Sequence, residues 1–207
     1  MRQDRFSIGG LCLSLLLGFG MTSNCTNNIN EVEPVKPKTT LQAAAAGKIT
    51  WTLVRASNPS ADQQDAYNRI TSAMNAAVTR YNKWGNWGRN LTVRYTPGVP
   101  TAQASINGSI DFGTNRTYMT ECTAMHEMAH CFGVGTAAAW SSPLIQNGLF
   151  VGAKAVAKIR SFDGPSAVIN TGGGHFWPYG LNYNSEWSPT NGDRHAQINR
   201  AMNDDGL

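Results

Sequence analysis

The chain has 207 residues, of which 41% are hydrophobic and 14% are charged, a composition too apolar for a disordered protein. The formal net charge is only +4 and the Lys and Arg residues are scattered, so nucleic acid is not expected as a partner. Four Cys residues are too few for a disulfide scaffold, and no apolar run approaches the roughly 20 residues of a membrane-spanning helix.

The N-terminus has the pattern of a secretory signal peptide, which we assign to residues 1–25. Arg2 and Arg5 precede an uncharged apolar stretch over residues 8–19. Cys25 follows this stretch, at the place where a bacterial lipoprotein carries its acylated cysteine. Two locations therefore stay open: a secreted protein, or a cell-surface lipoprotein that meets the membrane only through an N-terminal lipid anchor.

Residues 26–47 predict a flexible linker, because they combine several Asn residues, alternating Pro and Lys, and a run of Ala. The folded domain is then expected to span residues 48–207, which is long enough for one sizeable hydrophobic core. We expect this domain to be a monomer.

Hydrophobic periodicity predicts the elements of this domain in chain order. Alternation of β-forming residues indicates strands, and apolar residues at three- and four-residue spacing indicate helices. The predicted strands cover residues 49–54, 91–95, 104–106 and 109–112. The predicted helices cover residues 62–83, 120–132, 149–159 and 193–202, and the Gly- and Asn-rich residues 161–192 are expected to form structured loops. This order predicts an α+β domain with a loop-rich C-terminal part.

The second of these helices carries a motif with a known chemistry. His126, Glu127 and His130 form the pattern H-E-x-x-H. Positions i and i+4 share one helix face, so both imidazoles can reach one metal ion. Zinc is the expected metal, because it accepts imidazole nitrogens and can leave one position open for water. Glu127 is then placed to take a proton from the bound water as a general base.

The residues after the motif extend the pattern to H-E-x-x-H-x-x-G, with Gly133 at the last position. This stretch resembles the zincin metallopeptidases, and more narrowly the metzincins. The resemblance implies a single zincin-like catalytic domain with a small mixed sheet and an active-site helix. It also implies that residues 104–112 form the edge strand along which zincins bind extended substrate. Where metzincins place their third His, this chain has Thr136.

The third zinc ligand is therefore expected from elsewhere in the chain. His175 opens the segment H-F-W-P-Y-G-L-N-Y after three Gly residues, and the whole segment resembles the third-ligand loop of some secreted bacterial zincins. Glu186 is the alternative ligand, as in gluzincins, although its surroundings do not look helical. The remaining histidine, His195, lies on the apolar face of the last predicted helix and is expected to be a core residue.

Other residues near His175 are expected to support the site. Several zincins stabilise the oxyanion with a Tyr hydroxyl, so the resemblance suggests Tyr179 or Tyr183 for this role, with aromatic packing as the alternative. If it does not bind zinc, Glu186 is expected to fix the loop or orient a ligand. Cys122 and Cys131 are nine residues apart on one predicted helix, about 13 Å, so they are expected to be separate thiols.

Together these residues predict a secreted or surface-anchored zinc metallopeptidase that hydrolyses protein or peptide substrates. One zinc ion is the expected cofactor, held by His126, His130 and His175, with Glu127 as the catalytic base. Two other functions stay open on the same fold. One is a zinc-dependent hydrolase of a non-peptide bond, and the other is a non-catalytic surface binding module.

Overall fold

The computed structural model of the protein describes residues 47–207. The predicted signal segment 1–25, and all but the last residue of the predicted linker 26–47, lie outside the described residues. Within residues 47–207, no helix is both long and apolar enough to cross a membrane.

The N-terminal half of the described chain forms a mixed four-stranded sheet. Its strands are β1 (Thr50–Leu53), β2 (Asn90–Tyr95), β3 (Ala102–Ala104) and β4 (Ser109–Phe112). The spatial order is β1-β2-β4-β3, in which β1, β2 and β4 run parallel and β3 pairs antiparallel with β4. The pair β3–β4 confirms two short strands on either side of residues 107–108, but β3 covers residues 102–104 and not the predicted 104–106. β3 lies at the edge of the sheet.

A long helix, α1 (Ala61–Trp84), connects β1 to β2. It begins with a capping box, because the Ser60 side chain accepts from the backbone of Gln63 while the Gln63 side chain accepts from the backbone of Ser60. Its buried stripe includes Ile70, Met74 and Tyr81, at the spacing that the sequence predicts. This stripe packs with the sheet residues Leu91, Val93, Ile110 and Phe112 in one apolar core.

The motif helix, α2 (Glu121–Cys131), lies between this core and a second one. The Thr120 side chain caps its N-terminus, and Gly133 adopts a φ of 110° just beyond its C-terminus. Met125 and Met128 belong to the first core, whereas Ala129 belongs to the second. The remaining face of the helix is free to line a cleft.

The C-terminal half contains a second sheet, which the sequence pattern did not predict. Residues 161–192 were expected to be loops, but they contain two of the four strands of this sheet. The predicted helix at 149–159 is also wrong at its start, because residues 149–150 are a strand. The elements are α3 (Ala138–Ser141), β5 (Ile145–Gln146), β6 (Leu149–Phe150), α4 (Ala153–Asp163), β7 (Ile169–Gly172) and β8 (His175–Trp177). The sheet is antiparallel, with the spatial order β5-β6-β7-β8.

The last helix, α5 (Pro189–Asp204), begins four residues earlier than predicted. Ser188 caps it by accepting from the backbone of Asn191, and Pro189 occupies the first turn, where a missing N–H costs nothing. Arg80 of α1 joins the helices, because its guanidinium lies 2.7 Å from Glu121 of α2 and 2.6 Å from Asp193 of α5. The described residues thus form an α+β domain with five helices and two small sheets.

Candidate metal centre

One face of α2 lines a cleft of about 440 Å³. Thr123 and His130 are seven residues apart, and His126 and Glu127 each lie three or four residues from both, which places all four on that face. The edge strand β3 and the glycine-rich segment before β8 also line this cleft. The other residues that line the cleft are residues 101–104, Tyr118, Gly135, Thr136, residues 173–175 and residues 181–184.

The two motif histidines are held in one tautomer. Nδ1 of His126 lies 2.9 Å from the carbonyl oxygen of Gly180, and Nδ1 of His130 lies 2.8 Å from that of Val134. A carbonyl only accepts, so each Nδ1 carries the hydrogen and each Nε2 keeps a lone pair. The two Nε2 atoms are 3.2 Å apart, so both lone pairs are available to one ion.

Both rings are also kept uncharged. Burial lowers the pKa of His126 to about 3, and the neighbouring His130 contributes to this shift. Burial likewise lowers the pKa of His130. Because metal ligands must be deprotonated, these two imidazoles are ready to bind a cation at neutral pH.

His175 joins the motif histidines, as predicted from the sequence. It is the first residue of β8, and its ring centroid lies 5.2 Å from those of both His126 and His130. One nitrogen of each ring falls within 4.8 Å of the others, so the three side chains can hold a metal ion. We call His126, His130 and His175 the histidine cluster.

Two glycines bring His175 to the helix. A Cβ on Gly135 would lie 2.2 Å from the carbonyl oxygen of Gly174, the residue before His175. Only glycine permits this approach, and the φ of Gly135 is +68°. The Gly residues before His175 stand out in the sequence, but their partner Gly135 does not, because the contact joins segments far apart in the chain.

His195 contacts the segment that follows His175. It is fully buried, as expected for a core histidine, and its Nδ1 donates to the carbonyl oxygen of Tyr179 at 2.7 Å. Its ring also stacks on Phe176, the residue after His175, with centroids 5.7 Å apart. Since the next carbonyl, that of Gly180, accepts from His126, His195 helps to position two members of the histidine cluster at once.

Glu127 reaches the cleft as a buried acid, with only 6% of its surface exposed. Within residues 47–207 its carboxylate has no hydrogen-bond donor and no basic partner. Burial raises its pKa to about 7. A cation held by the adjacent histidine cluster would lower that pKa again, because an opposite charge favours the ionised carboxylate.

The structure separates the two tyrosines that were suggested for the oxyanion. Tyr183 lines the cleft and is 70% exposed. Tyr179 does not line it: its hydroxyl donates to Asp163 at 2.8 Å and also contacts Arg194. Its ring instead packs against Phe162, with ring centroids 6.3 Å apart.

Glu186 lies outside the histidine cluster. Its carboxylate accepts from the backbone N–H of Asn182 at 3.0 Å, and its own carbonyl accepts from the Asn191 side chain at 2.7 Å. Asn182 lines the cleft beside His175. This arrangement agrees with the expectation that Glu186 fixes the loop and not with a role as a metal ligand.

Thr136, at the position of the metzincins' third His, has a different task. Its hydroxyl donates to the carbonyl oxygen of His130 at 2.6 Å, which also accepts from the backbone N–H of Gly133 at 3.2 Å, and so adds a second hydrogen bond at the end of α2. The cysteines are separate thiols, as predicted, since Cys122 and Cys131 are both free and buried. Burial raises their pKa values to about 11 and about 12, which keeps both protonated.

Comparison of the chain with protein-family models, with curated proteins and with solved structures gave no match. The function is therefore inferred from the chemistry of the site itself.

Proposed function

We propose that the histidine cluster binds one zinc ion and that the protein is a zincin-type metallopeptidase. The convergence of three half-buried histidines beside the unpaired Glu127 carries this proposal. In a tetrahedral zinc site with bonds of 2.0–2.1 Å, two ligand nitrogens lie about 3.3 Å apart. The 3.2 Å between the Nε2 atoms of His126 and His130 fits that spacing.

The donor set also favours zinc over harder cations. Three neutral imidazoles suit zinc, whereas calcium and magnesium require oxygen ligands. With these three protein ligands, a tetrahedral ion would have one position left for water. When bound, zinc lowers the pKa of a water and polarises a carbonyl oxygen.

Glu127 supplies the proton transfers. Its carboxylate accepts a proton from the water that attacks the peptide carbonyl carbon. It then donates that proton to the nitrogen as the C–N bond breaks, so the carboxylate is regenerated. Its burial and lack of a hydrogen-bond donor within residues 47–207 leave both oxygens available for this work. His126 and His130 remain neutral ligands, because their Nδ1 hydrogens are held by backbone carbonyls.

The edge strand supports a peptide as the substrate. Among the described strands, β3 pairs only with β4, and residues 101–104 line the same cleft as the histidine cluster. An extended peptide can add to such a free edge through main-chain hydrogen bonds. This feature favours peptide hydrolysis over hydrolysis of another bond.

The test is zinc analysis and hydrolysis of a quenched fluorescent peptide mixture. We expect one zinc per chain, loss of hydrolysis with a chelator, and recovery on adding zinc. Glu127→Gln should keep the zinc and lose at least about a hundredfold in turnover, since general-base catalysis contributes that much.

The matched control is Glu121→Gln, which makes the same substitution on the same helix but outside the cleft. It breaks the ion pair with Arg80 and should affect stability alone. Turnover of Glu127→Gln equal to that of Glu121→Gln would overturn the proposed role of Glu127. A zinc-loaded protein that cleaves no peptide would overturn the peptidase assignment.

A further inference from the structure

Two carboxylates differ from all other acidic side chains of residues 47–207. The others form ion pairs with Arg or Lys, except for Asp205, which accepts from the first backbone N–H groups of α4. Within the described chain, only Glu127 and Glu186 have neither a basic side chain nor a helix N-terminus as partner. Glu127 has a proposed task in catalysis, whereas the charge of Glu186 has none.

Glu186 lines a cavity of about 500 Å³ next to the cleft, which we call the side cavity. The side cavity shares His175, Asn182 and Tyr183 with the cleft. Its other residues include Trp177, whose exposed fraction is 46%. A substrate whose cleaved bond lies at the histidine cluster can therefore place a neighbouring side chain in the side cavity.

The lining of the side cavity defines its chemistry. The Glu186 carboxylate is half-buried and fixed by the backbone N–H of Asn182, so its charge stays in place. Trp177 and Tyr183 add two exposed aromatic rings to this lining. Aromatic faces and a carboxylate both attract a cation. Among residues 47–207, neither Lys nor Arg lines the side cavity to neutralise Glu186.

We propose that the side cavity binds a Lys or Arg side chain of the substrate, so that the protein prefers peptides with a basic residue near the cleaved bond. This inference rests on the proposed peptidase function for the cleavage step, but not for the binding step. The charge of Glu186 selects the cation, and Trp177 and Tyr183 cover the aliphatic stem.

Paired peptides test the proposal. Each pair carries Arg or its neutral isostere citrulline at one position of a Gly/Ala background, and the position is varied along the peptide. We expect kcat/KM to be at least about tenfold higher for Arg than for citrulline at one position, as for a hydrogen bond to a charged group. Glu186→Gln should retain zinc and bring the ratio close to one, because glutamine keeps the bond to Asn182 without the charge.

Glu121→Gln serves as the control, since it removes a charge outside the side cavity and should leave the ratio unchanged. Binding is measured separately with Glu127→Gln, which should bind the Arg peptide about tenfold more tightly than the citrulline peptide. Equal binding and equal cleavage at every position would overturn the inference and leave the proposed function intact. If no peptide is cleaved but Arg binds selectively, the peptidase proposal fails and the binding inference stands.

Discussion

The side chains of the histidine cluster come from two regions, and their positions are fixed in different ways. His126 and His130 come from α2, where four-residue spacing alone places them on one face. His175 comes from the start of β8, and nothing local fixes its distance from α2. It depends on the contact of Gly135 with Gly174 and on the support of His195.

This difference shows where the site is vulnerable. His126 and His130 will stay on one face as long as α2 is folded, but the position of His175 depends on packing throughout the C-terminal half. Metal binding and folding of that half should therefore stabilise each other. Single substitutions separate the two contributions, beginning with the largest expected effect.

Removing the third ligand should have the largest effect. His175→Ala leaves two imidazoles on α2, and we expect zinc affinity to fall by more than about a hundredfold, because loss of a ligand exceeds the 10–100-fold typical of outer-shell changes. Competition with a chromogenic chelator measures the affinity. Glu186→Gln and His195→Asn are the comparison variants and should retain one zinc per chain. Tight zinc in His175→Ala together with loss in Glu186→Gln would show that the glutamate is the ligand.

Adding a side chain where Gly135 contacts Gly174 should displace His175, although His175 itself is unchanged. Gly135→Ala places a methyl group 2.2 Å from the carbonyl oxygen of Gly174, so the segment before β8 must move. We expect a loss on the order of 3 kcal/mol in folding free energy and at least about tenfold weaker zinc binding.

The matched control for that variant is Gly164→Ala. Gly164 has a φ of +94° and a ψ of 171°, and among the described residues no neighbouring atom lies within 4 Å of the place where its Cβ would be. Alanine there therefore adds backbone strain on the order of 1–3 kcal/mol without a collision. Zinc affinity should be unchanged in this control. Equal zinc affinities in the two variants would mean that the contact of Gly135 with Gly174 does not position His175.

His195 should make the stability of the fold depend on pH. Burial lowers its pKa from 6.5 to about 4, so the fold favours the neutral ring. Its contribution is complete above pH 6.5 and is lost as the pH falls toward 4, by on the order of 3 kcal/mol. Tyr81 is its titratable contact and stays neutral over this range.

His195→Asn keeps a donor near the carbonyl of Tyr179 but cannot titrate. Urea unfolding of the metal-free protein from pH 7.5 to 4 should therefore show a smaller loss of stability for this variant than for the wild type. Parallel curves for the two proteins would contradict a neutral, buried His195.

Thr136 should have the smallest effect. Thr136→Val removes the hydrogen bond to the carbonyl of His130 and should cost about 1 kcal/mol in the free energy of unfolding. Zinc affinity should change by less than about threefold, since Thr136 contacts the backbone and not the ion. Loss of zinc in this variant would place a ligand where metzincins have their third histidine.

The local parts of this structure could be predicted from the sequence. Periodicity identified α1 and α2, and the spacing of H-E-x-x-H placed His126, Glu127 and His130 on one face. The second sheet was missed because its strands are only two to four residues long, too short for a clear alternating pattern. Tyr179 was suggested for the site because it is close to His175 in sequence, but its hydroxyl contacts Asp163 and Arg194 outside the cleft.

The contacts that complete the site could not be predicted in the same way. The carbonyl oxygens of Gly180 and Val134 set the tautomers of the two motif histidines, and the first of these depends on a long-range contact. Whether Glu186 has a basic partner within residues 47–207 depends on tertiary contacts and not on its neighbours in the sequence. Such features depend on tertiary structure and leave no periodic signal in the chain.

X-ray absorption at the zinc edge tests the central claim most directly. For the zinc-loaded protein we predict three imidazole nitrogens at 2.0–2.1 Å and one non-protein oxygen, with the imidazole number falling to two in His175→Ala. A sulfur shell near 2.3 Å, or the same three imidazoles in His175→Ala, would contradict a centre built from His126, His130 and His175.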